Sequence, residues 1–177
     1  MTINIDSNLD LKQLELADSI DIFNSIDCQR EYLGKWLPFV AFTKKLEDTE
    51  RFVASMVNAP KDKFEYIFTI RCEKKFVGLI GFKNTDRQNK ITEIGYWLSE
   101  KQQKKGIMTK SVERLCDFAF NDSGLNRVEI KCAVENKSSA NIPRKLNFKF
   151  EGIERDGELL NGKEFTDLAV YSRLAKD

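Results

Sequence analysis

The residues best suited to do chemistry lie in one strand-turn-helix stretch. Glu93-Ile94-Gly95-Tyr96-Trp97-Leu98 is apolar and aromatic, as a strand requires. After it comes the basic turn Gln103-Lys104-Lys105-Gly106, with a single glycine at the mouth of a helix. From Ile107 on, apolar residues recur at Val112, Leu115, Cys116, Ala119 and Phe120, the stripe of an amphipathic helix. Such a turn gathers free backbone N–H groups and the positive helix end at one spot, which suits a phosphate or pyrophosphate. An ordinary basic turn on a solvated surface is the plainer alternative. Neither Gly-x-x-x-x-Gly-Lys-Ser/Thr nor Gly-x-Gly-x-x-Gly is present, so a nucleoside-triphosphate P-loop and a dinucleotide fingerprint are both disfavoured.

The chain contains no histidine. Ser-His-Asp and Cys-His nucleophiles and the common histidine metal sites are therefore excluded. Any proton must move through Glu, Asp, Tyr, Lys, Cys or water. The cysteines Cys28, Cys72, Cys116 and Cys132 lack Cys-x-x-Cys spacing, and three of them fall in apolar patterns. They read as thiols in a reducing compartment, with no metal expected.

Gln103-Lys104-Lys105-Gly106-Ile107-Met108 matches the Gln/Arg-x-x-Gly-x-Gly/Ala signature of the GNAT acyltransferases, except that Met108 replaces a small residue. Further blocks resemble the RimJ/RimL branch of that superfamily, whose members acetylate the N-terminal amine of ribosomal proteins. They are Leu33-Gly34-Lys35-Trp36-Leu37-Pro38, the run from Asn126 to Ser139, Phe150-Glu151-Gly152-Ile153, and Glu158-Leu159-Leu160-Asn161-Gly162 with Asp167 and Tyr171. The resemblance covers most of the chain in the expected order. It implies an α/β GNAT fold with a mixed, largely antiparallel sheet of about seven strands, whose splayed central strands hold acetyl-CoA.

The resemblance also implies roles. Gln103, Lys104, Lys105, Gly106, Ile107, Met108 and Thr109 would cradle the pyrophosphate, chiefly through backbone amides. Trp97 and Leu98 would support the pantetheine arm as an added strand does, and Asn136 would offer it an amide donor and acceptor. Glu158 would take the amine proton through water, unless it is only a solvated loop carboxylate. Ser139 would stabilise the departing thiolate, cap the following helix, or do both. Tyr32, Trp36 and Phe39 would wall the acceptor groove or else pack in the core. Asp167 and Tyr171 would be structural.

An α-amine suits a histidine-free site. At pH 7.4 an α-amine of pKa ~7.8 is roughly a quarter neutral, against about 0.1% for a lysine of pKa ~10.4. The acceptor implied is a protein N-terminus, plausibly ribosomal. A small amine such as an amino acid, polyamine or drug is the nearby alternative, and a CoA-binding module without turnover the distant one. A homodimer is left open.

The elements that must position these residues follow from pattern. Leu9–Leu14 predicts a first strand, and Asp18 caps a helix with Ile22, Phe23 and Ile26 inward. A second helix runs from Leu46 to Asn58, burying Phe52, Val53, Met56 and Val57, with Pro60 as its stop. Strands follow at Tyr66–Cys72, Phe76–Phe82 and Ile91–Leu98, with a polar loop from Asn84 to Lys90. After the signature helix come a strand at Arg127–Val134, a helix at about Ser138–Leu146, and strands near Phe148–Arg155 and Glu164–Arg173 around a loop from Asp156 to Lys163. At 177 residues, without repeat or linker, the chain reads as one domain. Its net charge of +1 gives no footprint for nucleic acid or anionic membranes. No run reaches a membrane span, and Met1–Ser7 has no secretory pattern, so the cytoplasm is expected.

Overall fold

Every apolar-periodic segment of the sequence becomes a strand or a helix. The computed structural model describes residues 1–60, 62, 65–160 and 162–177. Its strands are β1 (Thr2–Asn4), β2 (Leu9–Gln13), β3 (Ile67–Cys72), β4 (Lys75–Asp86), β5 (Ile91–Leu98), β6 (Arg127–Ala133), β7 (Lys149–Leu160) and β8 (Glu164–Leu174). Its helices are α1 (Ser19–Asp27), α2 (Arg30–Gly34), α3 (Leu46–Val57), α4 (Ile107–Asp117) and α5 (Lys137–Lys145). Hydrogen bonding orders the strands β1-β2-β3-β4-β5-β6-β8-β7. β5 and β6 pair in parallel, and β6–β8 and β7–β8 are antiparallel. The sheet thus has eight strands rather than about seven, because the three-residue β1 is too short to leave a pattern.

By packing, the described chain divides into two units. One comprises Met1–Gly81 with Tyr96–Ile107, the other Phe82–Gly95 with Met108–Asp177. The core of the first gathers Leu14, Ile22, Ile26, Leu33, Val40, Val53, Leu79 and Trp97. Two glycines of β4 let strands approach there: a Cβ on Gly78 would stand 2.3 Å from the Trp97 carbonyl oxygen, and one on Gly81 2.7 Å from that of Tyr66. Glu73 and Lys74 join β3 to β4 at φ of 51° and 65°, the positive values a two-residue hairpin turn demands. The Asp18 side chain does not cap α1 but closes a capping box on the short turn before it. It is buried, accepts from the Glu15 N–H and pairs with Arg71 at 2.6 Å. Phe52, expected inside, is 41% exposed, since Val53 alone of that pair faces the core.

In the second unit, Val112, Leu115, Cys116 and Ala119 of α4 and its continuation are wholly buried, as are Val128 and Ile130 of β6. β4 continues to Asp86 through what the sequence presents as loop, and the Thr85 hydroxyl meets that of Thr92 on β5 at 2.8 Å. β7 likewise extends to Leu160 instead of ending near Arg155. Its pairing with β8 shifts between Glu154 and Glu158, where Asp156 has a φ of 50° and its N–H donates to Asp167 Oδ1 at 2.9 Å. This bulge disguises the strand as a turn. Asp167 is therefore structural, and Tyr171 is buried at 2% exposure.

Candidate active site

The basic turn bends through two left-handed residues. Lys104 and Gly106 have φ of 63° and 75°, so left-handed residues alternate just ahead of α4. Alternation of that kind turns successive N–H groups into one concavity, and the first turn of α4 adds amides with no partner inside the helix. Nothing lies within 4 Å of where a Gly106 Cβ would stand. The side chains here are otherwise engaged. Gln103 Nε2 donates to the Tyr32 hydroxyl at 2.6 Å, and Lys105 Nζ donates to Gln102 Oε1 at 2.9 Å. Ile107 and Met108 are each 6% exposed. Of the other predicted phosphate residues, Lys104 is exposed and Thr109 half-buried.

Trp97 does not present its ring to a ligand. It packs in the core, edge-on to Phe76 at 5.7 Å between centroids, and Leu98 is buried as well. Any role for these two residues in holding a cofactor falls to their main chain. Tyr32 is partly buried, and burial together with the nearby Glu100 raises its pKa. Trp36 is half-buried beneath the Lys35 ammonium, and Phe39 is 41% exposed, so both present surface. Gln29, which sequence reasoning missed, ties α1 to the turn: its Nε2 meets Ser25 Oγ at 2.9 Å and Ser99 Oγ at 3.3 Å, and its Oε1 accepts from the Glu100 N–H at 3.0 Å.

In the second unit, β5 and β6 pair only at Ile91–Arg127, Thr92–Val128 and Glu93–Glu129. β5 nevertheless continues to Leu98 and β6 to Ala133. At the end of β6, Asn136 caps α5: its Oδ1 accepts from the Ser139 N–H at 3.2 Å. Asn136, not Ser139, is therefore the helix cap, which leaves the Asn136 amide N–H groups for a ligand. The Ser139 hydroxyl is hydrogen-bonded to the buried Cys132 thiol, whose pKa burial raises and Ser139 lowers.

Glu158 is not a solvated loop carboxylate. It lies in β7 opposite Thr166 and is half-buried. Gly157 permits this, since a Cβ there would stand 2.8 Å from Leu168 Cγ. Burial raises the pKa of Glu158, Lys83 lowers it, and Glu93 raises it further. Lys83 and Glu93 were not singled out from sequence, although a glutamate inside the apolar run Ile91–Leu98 was a signal. Asn161 of the Glu158–Gly162 block lies outside the described residues. Among the described residues no cluster of three or more Cys, Asp or Glu is arranged to hold a metal ion, and no helix is long and apolar enough to cross a membrane.

Residues 8–149 match the model of the acetyltransferase (GNAT) domain. The chain belongs to the GNAT acetyltransferase family. It is 32% identical to a putative ribosomal N-acetyltransferase, YdaF, of Bacillus subtilis, over 99% of this chain and 96% of that protein. It is 28% identical to the ribosomal-protein-serine acetyltransferase of Escherichia coli, over 98% and 96%. Among solved structures it resembles RimL, the ribosomal L7/L12 α-N-protein acetyltransferase, in complex with coenzyme A. That match has a TM-score of 0.93 at 25% identity and covers 98% of each chain. The protein is thus an acetyl-CoA-dependent N-acetyltransferase of the GNAT fold, with RimJ/RimL-type relatives.

Proposed function

We propose that this enzyme acetylates the N-terminal α-amine of a protein, a ribosomal protein foremost, in the cytoplasm, and that residues 1–177 work as one catalytic domain. The observation that carries the mechanism is Glu158: a half-buried carboxylate of β7, its pKa raised by burial, in a chain without histidine. The acceptor class is supported by relatives that span nearly the whole chain and whose names specify ribosomal proteins.

Acetyl-CoA supplies an activated thioester. The amides of Lys105 to Met108 and the α4 N-terminus would bind its pyrophosphate, and the main chain of Trp97 and Leu98 with the Asn136 amide would orient its pantetheine. The neutral amine attacks the acetyl carbonyl directly, with no acyl-enzyme. As the N–C bond forms, nitrogen gives up a proton through water to Glu158. As the C–S bond breaks, Ser139 donates a hydrogen bond to the leaving sulfur, which ends as the free thiol after taking up a proton. Tyr32, Trp36 and Phe39 would contact the acceptor.

A polyamine acceptor would require unneutralised carboxylates. Here Glu154 is paired with Lys131 and Glu93 with Lys83, each at 2.8 Å, which argues for a singly charged α-amine. The test is release of CoA thiol across peptides with a free N-terminal serine, free amino acids, spermidine and N-blocked lysine peptides. The serine peptides should have the highest kcat/KM. Preference for spermidine or amino acids would overturn the acceptor, and no turnover with any amine would leave a CoA-binding module.

A further inference from the structure

The turn that precedes α4 holds a conformation its own residues do not favour. Lys104 stands at a φ of 63°, a left-handed value that costs a residue with a side chain free energy and persists only where the surroundings fix it. Local main chain does part of this: the Gln102 N–H donates to the Ser99 carbonyl at 2.9 Å, and the Gln103 N–H to that of Glu100 at 3.1 Å. Two side chains distant in sequence add to it. Gln29 sits at the corner between α1 and α2. Its Nε2 donates to the Ser25 carbonyl at 2.6 Å and to Ser99 Oγ at 3.3 Å, while its Oε1 accepts from the Glu100 N–H at 3.0 Å. A main-chain N–H can only donate, so the orientation of that amide is fixed. Tyr32, on α2, accepts from Gln103 Nε2 at 2.6 Å, at the residue immediately before Lys104. Gln29 and Tyr32 are both half-buried. The helices that carry them are anchored by Ile22, Ile26 and Leu33 in the core that also holds Trp97. All of these residues belong to one packing unit.

We propose that Gln29 and Tyr32 are positioning residues for acetyl-CoA, which brace Ser99–Gln103 so that the amides after it are already turned together when the pyrophosphate arrives. This rests on the reading of Lys105 to Met108 as the pyrophosphate site. Neither side chain acts by touching the cofactor. Both polar atoms of the Gln29 amide are taken up by the brace, and the Gln103 amide nitrogen is held by Tyr32. A turn free to rearrange would have to be ordered at each binding event, which weakens binding, whereas a braced turn is ordered beforehand. The brace therefore sets the affinity for a thioester that carries a pyrophosphate, and leaves the chemistry of transfer alone.

The test is the acetyl-CoA affinity of Gln29→Leu and Tyr32→Phe by calorimetry, beside deuterium uptake over residues 99–106 in the unliganded enzyme. Each variant should bind acetyl-CoA about threefold to tenfold more weakly, the size of one or two lost hydrogen bonds, and should exchange that segment faster. In a Gly106→Glu background, where the pyrophosphate is already repelled, Tyr32→Phe should weaken binding little further. Unchanged affinity in both variants overturns the proposal. Weaker binding without faster exchange also overturns it, since the side chains would then be direct ligand contacts. An equal loss in both backgrounds does the same, as the mark of general damage. Should Gln29→Leu fail to fold, Tyr32→Phe, which removes one oxygen from a half-buried side chain, decides alone. Normal binding by a folded Gly106→Glu would remove the pyrophosphate from the turn, and the proposal with it. Weak binding by Gly106→Glu with normal binding by the other two would keep the pyrophosphate reading and discard the brace.

Discussion

Glu158 and Ser139 carry the two ends of the proposed transfer, and each has its own signature. Glu158→Gln keeps shape but removes basicity, so kcat should fall by roughly 10²–10⁴-fold with acetyl-CoA affinity little changed. Because the Glu158 pKa is raised, the wild-type rate should decline as pH falls through that raised value, where the protonated carboxyl can accept nothing. The deficit of the variant should shrink as pH rises and the amine arrives neutral. A kcat within about threefold of wild type at neutral pH would remove Glu158 from the mechanism. Ser139→Ala should slow turnover and leave acetyl-CoA binding nearly intact. Since Asn136 supplies the cap through the Ser139 main chain, α5 should survive the change. Affinity lost without a change in kcat would make Ser139 a ligand contact instead. Both residues are proposed from the Asn-x-x-Ser and Glu-Leu-Leu-Asn-Gly blocks. The ion pair of Lys83 with Glu93 is not legible there, because it depends on how β4 lies against β5, which no local pattern encodes.

Among the elements, the turn into α4 and the close approach of β4 to β5 give separable tests. Gly106→Glu would place a carboxylate in the open space beside the amide concavity at a φ of 75°. Acetyl-CoA affinity by calorimetry should drop at least tenfold, about 1.4 kcal/mol, and equal affinity in a folded variant would move the pyrophosphate elsewhere. Gly78→Val has a different fate. Its first side-chain carbon would collide with main chain rather than with a movable side chain, so denaturant unfolding should register a loss of roughly 1–3 kcal/mol. The long periodic elements (β5, α4, β6 and α5) were readable to within about a residue or two. Two kinds of element were not. β1 and α2 are too short to show a period, and β7 hides its second half behind a bulge whose Asp156-Gly157 reads as a turn. That bulge returns Glu158, the proposed base, to the ladder opposite Thr166.

At the scale of the whole molecule, composition excluded more than it identified. Near-neutral net charge and the lack of histidine removed several classes of chemistry, while family and fold emerged from ordered blocks along the chain. The acceptor was the least legible part, since the surfaces of Trp36 and Phe39 are irregular and no spacing rule governs them. One feature of the sheet also bears on how the molecule behaves over time. Strand amides ordinarily exchange slowly because neighbours on both sides must let go together. The rungs of β5 with β6 run from Ile91–Arg127 to Glu93–Glu129. A cofactor lying along β5 as an added strand should therefore slow deuterium uptake at residues 94–98 more than at residues 91–93 when acetyl-CoA is saturating. If the cofactor leaves that uptake unchanged, it does not lie along β5. If it slows it, the cofactor is a strand that the enzyme borrows anew in every turnover.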